Sequence, residues 1–250
     1  MELLAEVWRR AVSSQPPPTP GLVLGAALVA LALVLHPVAW RATRVLVTIT
    51  HEGGHAVAAV LVGRRLQGIR VHSDTSGLTV SRGRPSGPGM VAMLIAGYLG
   101  PAVVGLGAVG LLLAGHALGL LWAFTLLLAA MLLQIRNLYG FVVVLAAGGG
   151  LLALSWFGSA ALQTALATLL TWLLLLAAPK PVVELGRSHR VGRAGHSDAG
   201  QLARLTRLPA ALWVGLFGLL NLLGLAVGSA LLVPALVDLG RSLARVFTAA

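Results

Sequence analysis

The sequence predicts an all-α polytopic membrane protein of about seven transmembrane helices, with a small cytoplasmic β-hairpin after the second of them. Three observations carry that fold class. Hydrophobic residues make up 58% of the chain and charged residues only 10%, whereas a soluble domain carries about 25% charged residues. Apolar runs close to 20 residues recur, the length needed to cross a hydrocarbon core about 30 Å thick, and mean hydropathy is +0.92. Arginines gather at the ends of those runs, as they do where a chain is oriented across a bilayer.

Residues 1–14 have the pattern of a short amphipathic helix, with Leu3, Leu4, Val7 and Trp8 against Glu2, Glu6, Arg9 and Arg10. The stretch Gln15-Pro16-Pro17-Pro18-Thr19-Pro20 ends it, because proline removes amide donors and clashes with a preceding helical turn. The apolar run beyond is too long for a signal-peptide core and lacks a cleavage site. Residues 1–20 therefore read as an N-terminal segment and breaker, and 21–250 as a single membrane-embedded domain. Spans are expected at roughly 21–39, 45–63, 90–113, 117–135, 138–156, 159–178 and 209–235. Very short links join the third to sixth spans, which makes them antiparallel neighbours. The pairs Gly115/Gly119 and Gly224/Gly228 would permit close helix contact.

Two polar segments interrupt the bundle. Within 64–89, the alternating stretches Leu66–His72 and Leu78–Ser81 flank the turn-forming Ser73-Asp74-Thr75-Ser76-Gly77, which predicts a β-hairpin. Residues 179–208 form a basic loop holding Lys180, Arg187, Arg190, Arg193, Arg204 and Arg207. Four spans separate the two segments, so both lie on one side, together with Arg136. The links near 114–116 and 157–158 carry no Arg or Lys and fall opposite. The positive-inside rule then puts the basic side in the cytoplasm. Arg41 and Arg44 fit if the first span is not a full crossing, or if the two side chains snorkel to the headgroups.

A net charge of +11 would point to nucleic acid in a soluble protein. Here the arginines flank apolar spans, so the lipid bilayer is the expected partner and nucleic acid is not. The chain has no cysteine, which excludes thiolate metal sites, a Cys nucleophile and disulfides. Its seven acids are Glu2, Glu6, Glu52, Asp74, Glu184, Asp198 and Asp238. Any metal-binding or proton-handling carboxylate must be one of these.

The second expected span contains His51-Glu52-Gly53-Gly54-His55, with no other formal charge between Arg44 and Arg64. On a helix, H-E-x-x-H puts two imidazoles one turn apart on one face, able to grip one Zn2+, with a carboxylate beside them to take a proton from the water the metal polarises. Random placement at this composition gives roughly 0.003 occurrences of the pattern in such a chain. A cluster of this kind can also glue two helices together, but three such groups in lipid mark a functional site by default. Gly53 and Gly54 in the variable positions would pack closely against another helix or leave room for a substrate backbone, and both can hold together.

These features resemble the site-2 protease family of intramembrane zinc metalloproteases. Its zinc-binding helix is matched by Ile49-Thr50-His51-Glu52-Gly53-Gly54-His55-Ala56, followed by a cytoplasmic hairpin and further spans. The compact chain is similar to a bacterial, peptidase-like branch of that family, through Arg136-Asn137-Leu138-Tyr139-Gly140, Ser197-Asp198-Ala199 and Leu202-Ala203-Arg204-Leu205-Thr206. The likeness is strong over about 45–100 and weaker over 130–215. It implies that His51 and His55 bind zinc, that Glu52 is the general base, and that the protein sits in a bacterial plasma membrane and cleaves membrane-protein or peptide substrates.

The family completes its site with an Asp in an Asp-Gly context, and this sequence has no Asp-Gly pair. Asp198 is the best candidate for the third ligand, since it shares the hairpin's side and opens a short helical run. It could equally be an N-terminal helix acid beside a Ser197 cap. His196 and His189 are fallback ligands, while His116 belongs to a link on the far side. Asn137 is expected either to steady an extended substrate or a metal ligand, or to cap a helix. Rival readings are a catalytically inactive family member that binds or scaffolds, and a small transporter using the cluster as a cation relay.

Overall fold

The computed structural model describes residues 2–192 and 195–234. Arg193, Asp238 and the end of the last expected span lie outside the described residues, as do the Leu3 and Leu4 side chains. In chain order the elements are α1 (Glu2–Ala11), α2 (Pro20–Leu35), α3 (Pro37–Leu61), β1 (Arg65–Val71), β2 (Gly77–Arg82), α4 (Pro88–Leu113) and α5 (Ala117–Gln134). There follow α6 (Leu138–Phe157), α7 (Ala160–Ala177), α8 (Pro179–Arg190), α9 (Asp198–Thr206) and α10 (Ala210–Leu232).

Among the described residues, five helical stretches are long and apolar enough to cross a membrane: α4, α5, α6, α7 running on into α8, and α10. The first two of the seven expected spans form a different object. Helices α2 and α3 meet at 104°, and only as a bent pair do they count as a sixth. The break has a local cause. Pro37 disfavours helical backbone at the residue before it, and His36 is extended (φ −74°, ψ 123°) while its Nδ1 accepts from the Ala39 amide at 3.4 Å. Lys180 at the start of α8 donates to the freed Val34 carbonyl and lies 4.2 Å over the Trp40 ring. Arg44, anomalous for two full crossings, pairs with Glu184 of α8 at 3.0 Å, and Trp40 Nε1 donates to the same carboxylate at 3.2 Å.

The basic segment 179–208 is largely helical rather than a loop. Helix α8 extends the line of α7, burying Val182 and Leu185 against Leu94 of α4 and Phe217 of α10. Ser197 caps α9 by accepting from the Gly200 amide at 3.2 Å. The largest core cluster fills the centre of the bundle, where Val109, Leu112, Leu121, Leu174 and Leu175 are buried. Ser13, Gln15 and α1 dock near the α4–α5 link: the Gln15 amide donates to Gly115 O at 2.7 Å, and Arg10 reaches the Trp156 carbonyl at 3.0 Å.

The strands form an antiparallel hairpin whose register runs from Arg65↔Arg82 to Val71↔Gly77, with an irregularity between Leu66 and Gly68. Asp74 builds the turn, accepting from the Ser76 amide at 2.9 Å and hydroxyl at 2.6 Å. Those bonds hold its carboxyl below the usual carboxylate range. Ile69 and Val71 turn inward on Ile49, Leu128, Met131 and Ile135, as alternation requires of a strand with one covered face. The outer edge of β1 is engaged: Ile69 bridges Ile135 in parallel, the Arg136 amide donates to Ile69 O at 2.9 Å, and Asn137 accepts from the Val71 amide at 3.2 Å and donates to its carbonyl at 2.7 Å.

Candidate metal centre

The motif lies on α3, where it packs along α4. A Cβ at Gly54 would meet the Ala96 carbonyl, and one at Gly100 would meet the Thr50 carbonyl, so the two helices touch backbone to backbone. Gly53 has open space around it. Gly97 faces both imidazoles: a Cβ there would overlap His55 and press on His51. Pro101, one turn further along α4, lacks the amide that would bond the Gly97 carbonyl. The Gly97 carbonyl beside the two rings thus lacks its usual helical donor.

Three donors converge. His51 Nε2 and His55 Nε2 are 3.1 Å apart, and Asp198 Oδ2 stands 3.3 Å from the first and 3.2 Å from the second. Ligands bound tetrahedrally at about 2.0–2.2 Å are separated by about 3.3–3.6 Å. The three gaps are close to that edge length and leave a fourth position for water, so the residues present fit zinc. The tautomer fits too, because His55 Nδ1 lies 2.7 Å from the Met93 carbonyl. A proton on Nδ1 leaves the Nε2 lone pair free for a metal. Among the described residues, His51, His55 and Asp198 form a group that could hold a metal ion.

Asp198 is at once the first residue of α9 and a neighbour of both histidines. Burial opposes the charged carboxylate, yet the adjacent His51 and His55 imidazoles outweigh that and hold its pKa below the carboxylate range. The helix N-terminus also favours a negative charge there. Of the other described acids apart from Glu52, Glu2 is exposed at the start of α1, Glu6 pairs with Arg9 and Arg10, Asp74 sits in the hairpin turn, and Glu184 is tied to Arg44 and Trp40. His189 Nε2 lies 3.0 Å from Ser197 Oγ, His196 is exposed, and His116 sits beside the Ser13 carbonyl.

Glu52 is 3% exposed and lies under the hairpin. The Thr79 hydroxyl donates to its Oε2 at 2.6 Å, and Thr48 Oγ donates to the Thr75 carbonyl at 2.7 Å. A cavity of about 190 Å3 reaches the site, lined by Arg44, Thr48, His51, Glu52, Tyr98 and Pro181 among others. The Tyr98 ring stands edge-on to His51 at 4.7 Å and stacks on Phe217 at 5.0 Å. Asn221 of α10 donates to the Tyr98 carbonyl at 3.1 Å, tying α10 to this turn of α4. Asn137 does not touch the donor triad; its amide holds β1. Gly97, Tyr98 and Thr79 carried no site signal in the sequence, and Gly77 read only as part of the hairpin turn. The small residues Gly97 and Gly100, one turn apart, were the available signal for a close helix contact.

A family model described as Peptidase M50B-like matches residues 24–228. No curated protein and no solved structure matches the chain.

Proposed function

The chain belongs to the Peptidase M50B-like family, and from that premise we propose that it is an intramembrane zinc metalloprotease hydrolysing peptide bonds of membrane-spanning substrates. One observation carries the reading: two imidazole nitrogens and one carboxylate oxygen stand at tetrahedral spacing beside a buried glutamate. His51, His55 and Asp198 would hold the metal. Zinc bound there supplies a Lewis acid that polarises the scissile carbonyl and makes water acidic near neutral pH. Glu52 accepts the proton of the attacking water and passes it to the leaving amine. The open space at Gly53 receives the substrate backbone, and Gly54 serves by letting α4 approach.

A helical substrate must unwind before its carbonyl can be attacked, because helical carbonyls are already hydrogen-bonded. With the outer edge of β1 engaged by residues 135–137, the edge of β2 is the one left to pair with an extended segment. Asn137 acts on substrate through this hairpin. The cavity past Arg44 and Pro181 supplies water. The basic side faces the cytoplasm of a bacterial plasma membrane, and residues 21–250 act as one domain.

An inactive, scaffolding member is the alternative that the missing Asp-Gly pair favours, while an intact Glu52 favours catalysis. Purified Glu52→Gln protein separates them. It retains zinc at the wild-type level and loses cleavage of a membrane substrate by at least about 100-fold, the lower range for a general base. Wild-type cleavage by this variant would exclude the protease mechanism.

A further inference from the structure

We infer that Thr79 of β2 is a positioning residue for Glu52, an inference that rests on the protease reading and adds to it. Two atoms of Glu52 face one hydroxyl: Thr79 Oγ donates to Oε2 at 2.6 Å and lies 3.2 Å from the Glu52 carbonyl oxygen. The same side chain therefore registers the strand against both the backbone and the carboxylate of the base. Gly77, two residues earlier on the same face, packs against the carboxylate so closely that a Cβ would collide with Oε1, Cγ and Cδ. One carboxylate oxygen is thereby anchored, and the carboxylate has no room to rotate away towards the strand. The other oxygen is left for the water proton.

The strand that does this is itself fixed. Thr48, one turn before Glu52 on α3, donates to the Thr75 carbonyl, and on the other side Ile135 and Asn137 hold β1. The hairpin thus reaches the base from a frame that includes α3 and the α5–α6 link. Preorganising a base in this way matters because small misplacements of a reacting group have large effects on rate.

The test compares Thr79→Val, which keeps the shape of the side chain, with Thr79→Ser, which keeps the hydroxyl, and with Thr79→Ala, which needs less space should valine fail to fold. Each is purified as full chain with zinc and assayed on a membrane-spanning peptide. Valine and alanine are expected to lower kcat about 10–100-fold, the scale of a misplaced reacting group, with KM and zinc content unchanged. Serine should stay near wild type. A second readout needs no activity: the infrared carboxylate band that disappears in Glu52→Gln shifts in Thr79→Val and Thr79→Ala but not in Thr79→Ser. An unmoved band, wild-type kcat in the valine and alanine variants, or a serine variant as slow as valine overturns the assignment. Should the wild-type protein cleave nothing, the protease reading fails while the infrared comparison still decides whether Thr79 fixes Glu52.

Discussion

At the scale of single residues, the site depends on absences as much as on ligands. Gly97 has no side chain where two imidazoles need space, and a methyl group there would enter the volume of the His55 ring. His55 is also fixed through Nδ1 by the Met93 carbonyl, one turn before Gly97 on α4. Gly97→Ala should therefore tilt both rings and weaken zinc binding by about 10–100-fold, the range for lost outer support of a ligand. Competition with a calibrated chelator measures it, and wild-type affinity in this variant would mean that the rings have another seat. The histidines and the glutamate were legible in the sequence because their spacing matches a helical turn. Gly97 was not, because its importance exists only once α4 lies against α3.

At the scale of elements, the hairpin is the part that local pattern predicted well and whose role it left open. Alternation and the Asp74 turn describe both strands, but nothing in 64–89 indicates that the α5–α6 link would bind the edge of β1. Asn137 makes that connection, and its amide satisfies both backbone groups of Val71. Asn137→Ala leaves them without that partner. It should lower stability by about 1–3 kcal/mol and speed amide exchange in β1 while zinc content stays at the wild-type level. Unchanged exchange at Val71 would show that the bridge is dispensable. The α2–α3 break was less legible than the hairpin. An apolar run on either side of a sharp bend has the same composition as two separate crossings, and the bend is held by Lys180 and Glu184 from a helix about 140 residues away in the chain.

At the scale of the whole molecule, the bend and the distant carboxylate belong together. With α2 and α3 bent by 104°, Arg44 lies beside Glu184 of α8, within the basic segment's own packing. The same packing of α4, α8 and α10 seats Leu202 and Ala199 of α9 in a buried cluster with Leu94, Val182 and Phe217. That seat directs the first residue of α9 at the two histidines. A sequence without Asp-Gly offers little local sign of a ligand at Asp198, since a capped helix start explains an acid equally well. The fold places this residue both at the capped start of α9 and within 3.3 Å of the two histidines.

Zinc content of the purified full chain, measured by elemental analysis for wild type and Asp198→Ala side by side, bears most directly on this centre. The expected result is about one zinc per wild-type chain and clear loss in the variant, as befits a three-ligand site reduced to two histidines. Full zinc occupancy in Asp198→Ala would contradict it and remove Asp198 from the metal.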